Sequence, residues 1–280
     1  MPNLFRAVGM AAWSFRSAFA CALRGRIWLP FLLIAVIQGL ILAALLNWYR
    51  PALSWLAVPV LESLGGKGAV RYPVFFLALP SIYSQVVLIV TVVLTCVMVG
   101  AAMILFAQAY GTGQGKPAWA TAWRRYPALV AVTGVLAALL FGASYLRLLV
   151  PNQAFLENPM LRWGTRGGLL LISVLIQTFL AYAALWILLR GRGILGSLRE
   201  SIRLAGSTLV STFLVIGIPA LLLYPLNFIA SRGDLFVTKF RPETVTALIV
   251  LQIGLEILLG FLIVGAVTRI FLYQTEEARA

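Results

Sequence analysis

Apolar residues run along this chain in six long blocks, roughly 27–48, 80–107, 126–150, 168–189, 208–229 and 245–271, joined by short segments rich in arginine. A bilayer hydrocarbon core takes about 20 predominantly apolar residues per helical crossing, and each block reaches that length. The pattern predicts an all-α, polytopic integral membrane protein with six transmembrane helices. They occupy most of the chain, so residues 1–280 read as a single membrane domain.

The segments before the first, third and fifth blocks are themselves patterned. At 100° per residue, Leu4, Val8, Ala11, Ala12, Phe15, Phe19 and Ala22 fall on one face of a helix over residues 3–25, with Arg6, Ser17 and Arg24 opposite and Arg16 on the flank. This predicts an interfacial amphipathic helix that ends at Gly25. A second such element precedes block five, with Ile194, Leu195, Leu198, Ile202 and Ala205 on one side and Arg192, Arg199, Glu200 and Arg203 on the other. A shorter one, 117–125 with Trp119 and Trp123, precedes block three. Three repeats of basic helix plus membrane hairpin would produce this order, and so would a shared demand of membrane insertion. Between blocks one and two the chain stays apolar, with Pro51, Pro59 and Trp55, which predicts a short surface helix over 51–64, interfacial or re-entrant.

Composition adds a charge argument. The chain is 62% hydrophobic and only 11% charged, outside the range of soluble domains, and its net charge is +14. The basic residues sit at the ends of apolar blocks, at headgroup depth. Arg6, Arg16, Arg24, Arg26, Arg192, Arg199 and Arg203 therefore read as contacts to anionic phospholipid, and nucleic acid is not expected as a partner. Lysine and arginine favour the segments on the N-terminal side of the membrane, led by the four arginines ahead of block one. The positive-inside rule then puts both termini in the cytoplasm. With no histidine and two cysteines, Cys21 and Cys96, no metal site or cofactor is expected.

Of eight acidic residues, seven lie outside the blocks; the exception is Glu256, near mid-membrane. An ionised carboxylate there costs several kcal/mol unless protonated or paired. Gln252 and Gly260 share its helix face. With Gln38 in block one and Gln177 in block four, these residues form a candidate mid-membrane polar site for a proton, a cation or a polar substrate group. The competing reading is an interhelical hydrogen-bond cluster, about 0.6–2 kcal/mol per contact. Pro219 and Pro225 in block five mark a candidate kink or gate. The run 191–196 fits G-x-G-x-x-G, and 111–116 is close to a phosphate loop. Neither has the strand or the Ser/Thr that the chemistry needs, so both read as glycine turns. No nucleophile–base set or carboxylate pair is present, and an enzyme is not expected.

Two stretches, 119–135 and 195–219, carry small residues and arginine running straight into an apolar block, as in Ala122-Trp123-Arg124-Arg125 and Ser201-Ile202-Arg203-Leu204-Ala205-Gly206. They resemble the repeated unit of bacterial six-span proteins similar to the membrane domain of glycerophosphodiester phosphodiesterases. That resemblance implies a bacterial inner-membrane location and a largely undefined membrane role; the phosphodiesterase activity is not carried over, since no such domain is expected here. Together these readings lead to two functional expectations. One is a non-enzymatic inner-membrane subunit or scaffold of an envelope complex, connected with lipid handling and bound to a membrane or envelope protein. The alternative is a permease component, coupled to a cytoplasmic ATPase through the basic helices, with its site at Glu256.

Overall fold

A computed structural model describes residues 2–66, 71–72, 74–112, 115, 117–146, 159–230, 241 and 243–277. Helix α1 covers Pro2–Ala20 and passes through a 3-10 turn, Cys21–Leu23, into α2, Gly25–Leu46. Helix α3, Pro51–Gly65, starts with proline at its first turn, where the missing N–H has no partner to lose. Next come α4 (Val74–Val90), a π turn (Thr91–Thr95) and α5 (Cys96–Ala109), stacked as one long rod. Then follow α6 (Ala118–Arg124), α7 (Tyr126–Tyr145), α8 (Pro159–Leu180), α9 (Ala183–Arg190), α10 (Ile194–Ser207), α11 (Leu209–Ala230) and α12 (Thr244–Glu277). No strand occurs among the described residues.

Six of these rods are long and apolar enough to cross a bilayer: Gly25–Leu46, Val74–Ala109, Tyr126–Tyr145, Trp163–Arg190, Leu209–Leu226 and Thr244–Glu276. They match the six apolar blocks one for one, and the chain is an all-α multi-pass membrane protein. The end of predicted block three, 147–150, lies outside the described residues. Spans two and four begin earlier than predicted, because the helix continues through Pro80 and Arg166.

The spans close into a ring in chain order, with span six returning to span one. Spans two, four and six also meet one another across the middle. Helix α5 touches both α9 and α12, and Phe271 of span six packs against Tyr182 and Trp186 of span four. Span one fills the outer cleft between two and six, span three that between two and four, and span five that between four and six. The contact pattern is therefore threefold, with even spans inside and odd spans outside.

Helix α1 and the C-terminal end of α12 lie at the same end of the bundle, where Trp13 packs edge-on against Tyr273. This basal end also carries α6 and α10. Each short helix docks on the even span before its own odd span: α1 on α12, α6 on α5, and α10 on α8 and α9. The docking faces consist of small residues. They are Ala11, Ser14 and Ala18 in α1, Ala118 and Ala122 in α6, and Ser197, Ser201 and Ala205 in α10, all buried. Small side chains let backbones approach closely, which is what drives helix association where lipid removes the hydrophobic incentive.

Of the apolar faces predicted for α1 and α10, only the small residues Ala11 and Ala205 fall in the docking seams. Leu4, Val8 and Phe19, and likewise Ile194, Leu195 and Ile202, are exposed. Glycine sets the basal turns. Gly191 (φ +67°) ends α9 while the Arg192 N–H donates to the Trp186 carbonyl, and Gly111 (φ +92°) ends α5. These glycines open the two nucleotide-like runs, the first of which leads straight into α10 at Ile194; residues 113, 114 and 116 of the second lie outside the described residues.

Candidate functional site

Span one presents a buried stripe, Phe31, Ile34, Gln38, Leu42 and Leu45, to spans two and six. Phe31 packs on Phe261, while Leu42 and Leu45 join Ile249, Ile253, Leu79 and Tyr83 in one cluster. Spans one and six run antiparallel, so Gln38 falls between those two levels, beside Gln252 and Glu256. On span two the same level is that of Tyr83. Gln252 Nε2 donates to Glu256 Oε1 at 2.8 Å. The Tyr83 hydroxyl lies within electrostatic reach of the Glu256 carboxylate. Gln38 Oε1 and the Tyr83 hydroxyl are both buried without a hydrogen-bond partner among the described residues. Burying such groups unpaired carries the full desolvation cost, about 1–3 kcal/mol each. The intramembrane set is thus Gln38, Tyr83, Gln252 and Glu256, and its oxygen atoms are suited to a hydrogen-bond donor or a small cation.

Gln177 is not part of this set. It lines a separate, partly open cavity of about 290 Å³ bordered by spans two to six. The nearest span-six residue there, Ile263, is seven positions from Glu256, about 10 Å of helix rise. The lining is overwhelmingly apolar, and its few polar groups come from Thr91, Thr95, Thr133 and Gln177.

Two backbone irregularities flank this cavity. The π turn Thr91–Thr95 lies in its span-two wall, and the helix of span four breaks at Ala181–Tyr182. At that break the Tyr182 N–H donates to Ser201 Oγ of α10 at 3.2 Å, and Ser201 Oγ donates to the Phe179 carbonyl at 2.7 Å. The buried Tyr182 hydroxyl hydrogen-bonds Thr208 and Thr212 of span five. Backbone freed inside a membrane is tolerated when neighbours re-satisfy it in this way. One turn nearer the basal end a second cavity, about 230 Å³, is partly polar, with Thr112, Thr121, Arg190, Thr275 and Glu276 in its walls.

Pro219 is buried and Pro225 exposed, and α11 runs unbroken through both. Neither lines the cavity, to which span five contributes Ile216. The irregular stretches thus lie in spans two and four instead of span five. The seven arginines assigned to headgroups, Arg6, Arg16, Arg24, Arg26, Arg192, Arg199 and Arg203, are all exposed at the basal end. Arg24 also donates to the Ala109 carbonyl at 3.1 Å, capping span two. Arg269, partly buried, is sandwiched between Trp13 (4.4 Å) and Tyr110 (5.0 Å), a cation–π clamp joining α1, α5 and α12. Burial holds the Tyr110 phenol well above its ordinary range, so it stays neutral and donates to the Gly265 carbonyl at 3.2 Å.

Sequence reasoning missed Tyr83, because a tyrosine in an apolar run reads as an ordinary aromatic. It also missed the cavity, whose walls come from five different spans. No group of His, Cys, Asp and Glu able to hold a metal occurs among the described residues. Comparison with known protein families, characterised proteins and solved structures gives no match to this chain.

Proposed function

We propose that this protein is a non-enzymatic subunit or scaffold of the bacterial inner membrane, held to anionic lipid and concerned with lipid handling. The observation that carries the reading is the three-sector build of α1 and α10. Going round either helix, a small-residue face docks on the bundle, a bulky apolar face is exposed, and an arginine face follows it. An element built this way keeps its apolar sector in the acyl boundary and its arginines among headgroups. In this reading both termini are cytoplasmic, and a membrane or envelope protein partner binds elsewhere on the bundle.

The test is lipid selectivity. In vesicles mixing phosphatidylglycerol with phosphatidylcholine, the protein is expected to enrich phosphatidylglycerol in its bound lipid. Replacing Arg192, Arg199 and Arg203 by glutamine should weaken this by about 1 kcal/mol per charge. Equal lipid binding by wild type and triple variant would overturn the reading.

A second reading, a permease component, is favoured by the unpartnered Gln38 and Tyr83 beside Glu256. It predicts proton leak into proteoliposomes, followed with an entrapped pH dye, that Glu256→Gln abolishes. It also predicts a cytoplasmic ATPase recovered in stoichiometric amount after gentle detergent extraction. Unchanged dye response in Glu256→Gln would remove Glu256 from any transport role.

A further inference from the structure

The 290 Å³ cavity is roughly twice the 150 Å³ of an engineered apolar cavity that stays dry and takes benzene. Close-packed interiors contain few voids larger than a water molecule, because atoms lining a gap lose their dispersion partners. Water is a poor occupant of the apolar part of this space, since each buried water needs two to four polar partners. No charged side chain lines the space, so a charged ligand group has nothing to pair with.

The polar groups are also sorted by depth. Along spans two and four, which run toward the basal end, Thr91, Thr95 and Gln177 precede the apolar wall residues. Along span three, which runs the other way, Thr133 follows Leu129 and Val132. All four polar side chains therefore sit in the half of the cavity away from the basal end. The half nearer the basal end is walled by Gly100, Met103, Ala184 and Val267. Both irregular stretches of helix border this one space, and π turns recur at functional sites.

We infer that this cavity binds the hydrocarbon chain of a membrane glycerolipid, with an uncharged hydrogen-bonding group of that molecule against Thr91, Thr95, Thr133 and Gln177. The bilayer supplies hydrocarbon in excess and at no dehydration cost, and an ester carbonyl or a hydroxyl matches threonine and glutamine as partners. The inference rests on the lipid-handling reading for its sense and on the cavity for its evidence.

The experiment uses the full chain in phosphatidylcholine vesicles doped with phosphatidylcholine carrying a diazirine in one acyl chain. A second arm uses free diazirine-labelled palmitic acid. After irradiation, labelled residues are mapped by peptide mass spectrometry. Label is expected on Met103, Leu136 and Ile263. Ala184→Phe, which fills the space, is expected to lower that label about tenfold while leaving lipid-facing Leu139 and Leu251 unchanged. Ala181→Leu is the second variant should Ala184→Phe not fold, with thermal stability in detergent as the folding control.

Label in the cavity from the phospholipid probe supports the inference. Label from the free fatty acid alone overturns the assignment to a glycerolipid. No cavity label from either probe, or equal label in wild type and both filled variants, overturns the site itself. Phosphatidylcholine carries no net charge, so the basal arginines do not contribute to this readout. Failure here and failure of the arginine experiment are thus separate results.

Discussion

Buried polar side chains fall into two kinds in this bundle, satisfied and unsatisfied, and substitution separates them. Tyr182 is fully buried with its hydroxyl held by Thr208 and Thr212. Tyr182→Phe removes these bonds but leaves the threonines bonded to each other, and is expected to lower stability by about 0.5–1.5 kcal/mol in thermal or steric-trapping measurements. Gln38 and Tyr83 have unpartnered atoms, so Gln38→Leu or Tyr83→Phe should leave stability unchanged or raise it. A loss above about 1 kcal/mol in either would mean that something in the membrane satisfies those atoms. Glu256 and Gln252 were legible from sequence, because a carboxylate is costly at mid-membrane and its partner lies one turn away. The separation of Gln177 from them was not legible, since depth along a span says nothing about which neighbour it faces.

Elements were legible in kind and less so in orientation. All three basal helices and α3 were predicted from patterning near their observed bounds. The face that docks was not read at all, because a hydrophobic periodicity finds the bulky apolar stripe, and in lipid that stripe has no reason to turn inward. The small-residue seams were the informative signal. At one seam a β-carbon added to Gly265 would lie 2.7 Å from Ala18 Cβ and 2.7 Å from Phe106 Cε1. Gly265→Val should therefore push α1 off the bundle, at a cost of about 1–3 kcal/mol. A cysteine placed at Ala11 should then react with maleimide in the variant and stay protected in the Gly265 background. Equal protection in both would show that α1 docks some other way.

For the whole molecule, six apolar blocks were enough to count the spans. Their arrangement was not readable, because helices apolar nearly all round carry little periodicity to say which side faces the axis. The ring order and the inner triangle of even spans come from packing, with Phe271 against Tyr182 and Trp186 as its most direct expression. One of the two thiols reports on the integrity of this assembly. Cys21 and Cys96 are both free and buried. Cys21 should react with a membrane-permeant maleimide only as fast as the bundle opens, and rapidly once it is denatured, whereas Cys96 lines the 290 Å³ cavity and is open to a reagent that enters it. Fast labelling of Cys21 in the native protein would contradict the packing around α1.

The amide left over at the break in span four finds its partner in Ser201, on a helix whose opposite flank carries Arg199 and Arg203. On the proposed lipid-binding reading, one short helix meets the headgroup layer with one side and, through Ser201, holds the helix break that borders the cavity with another. In that proposal surface charge and interior shape are mechanically linked through it. A change of lipid composition that draws α10 outward would loosen the very turn that gives the cavity its room.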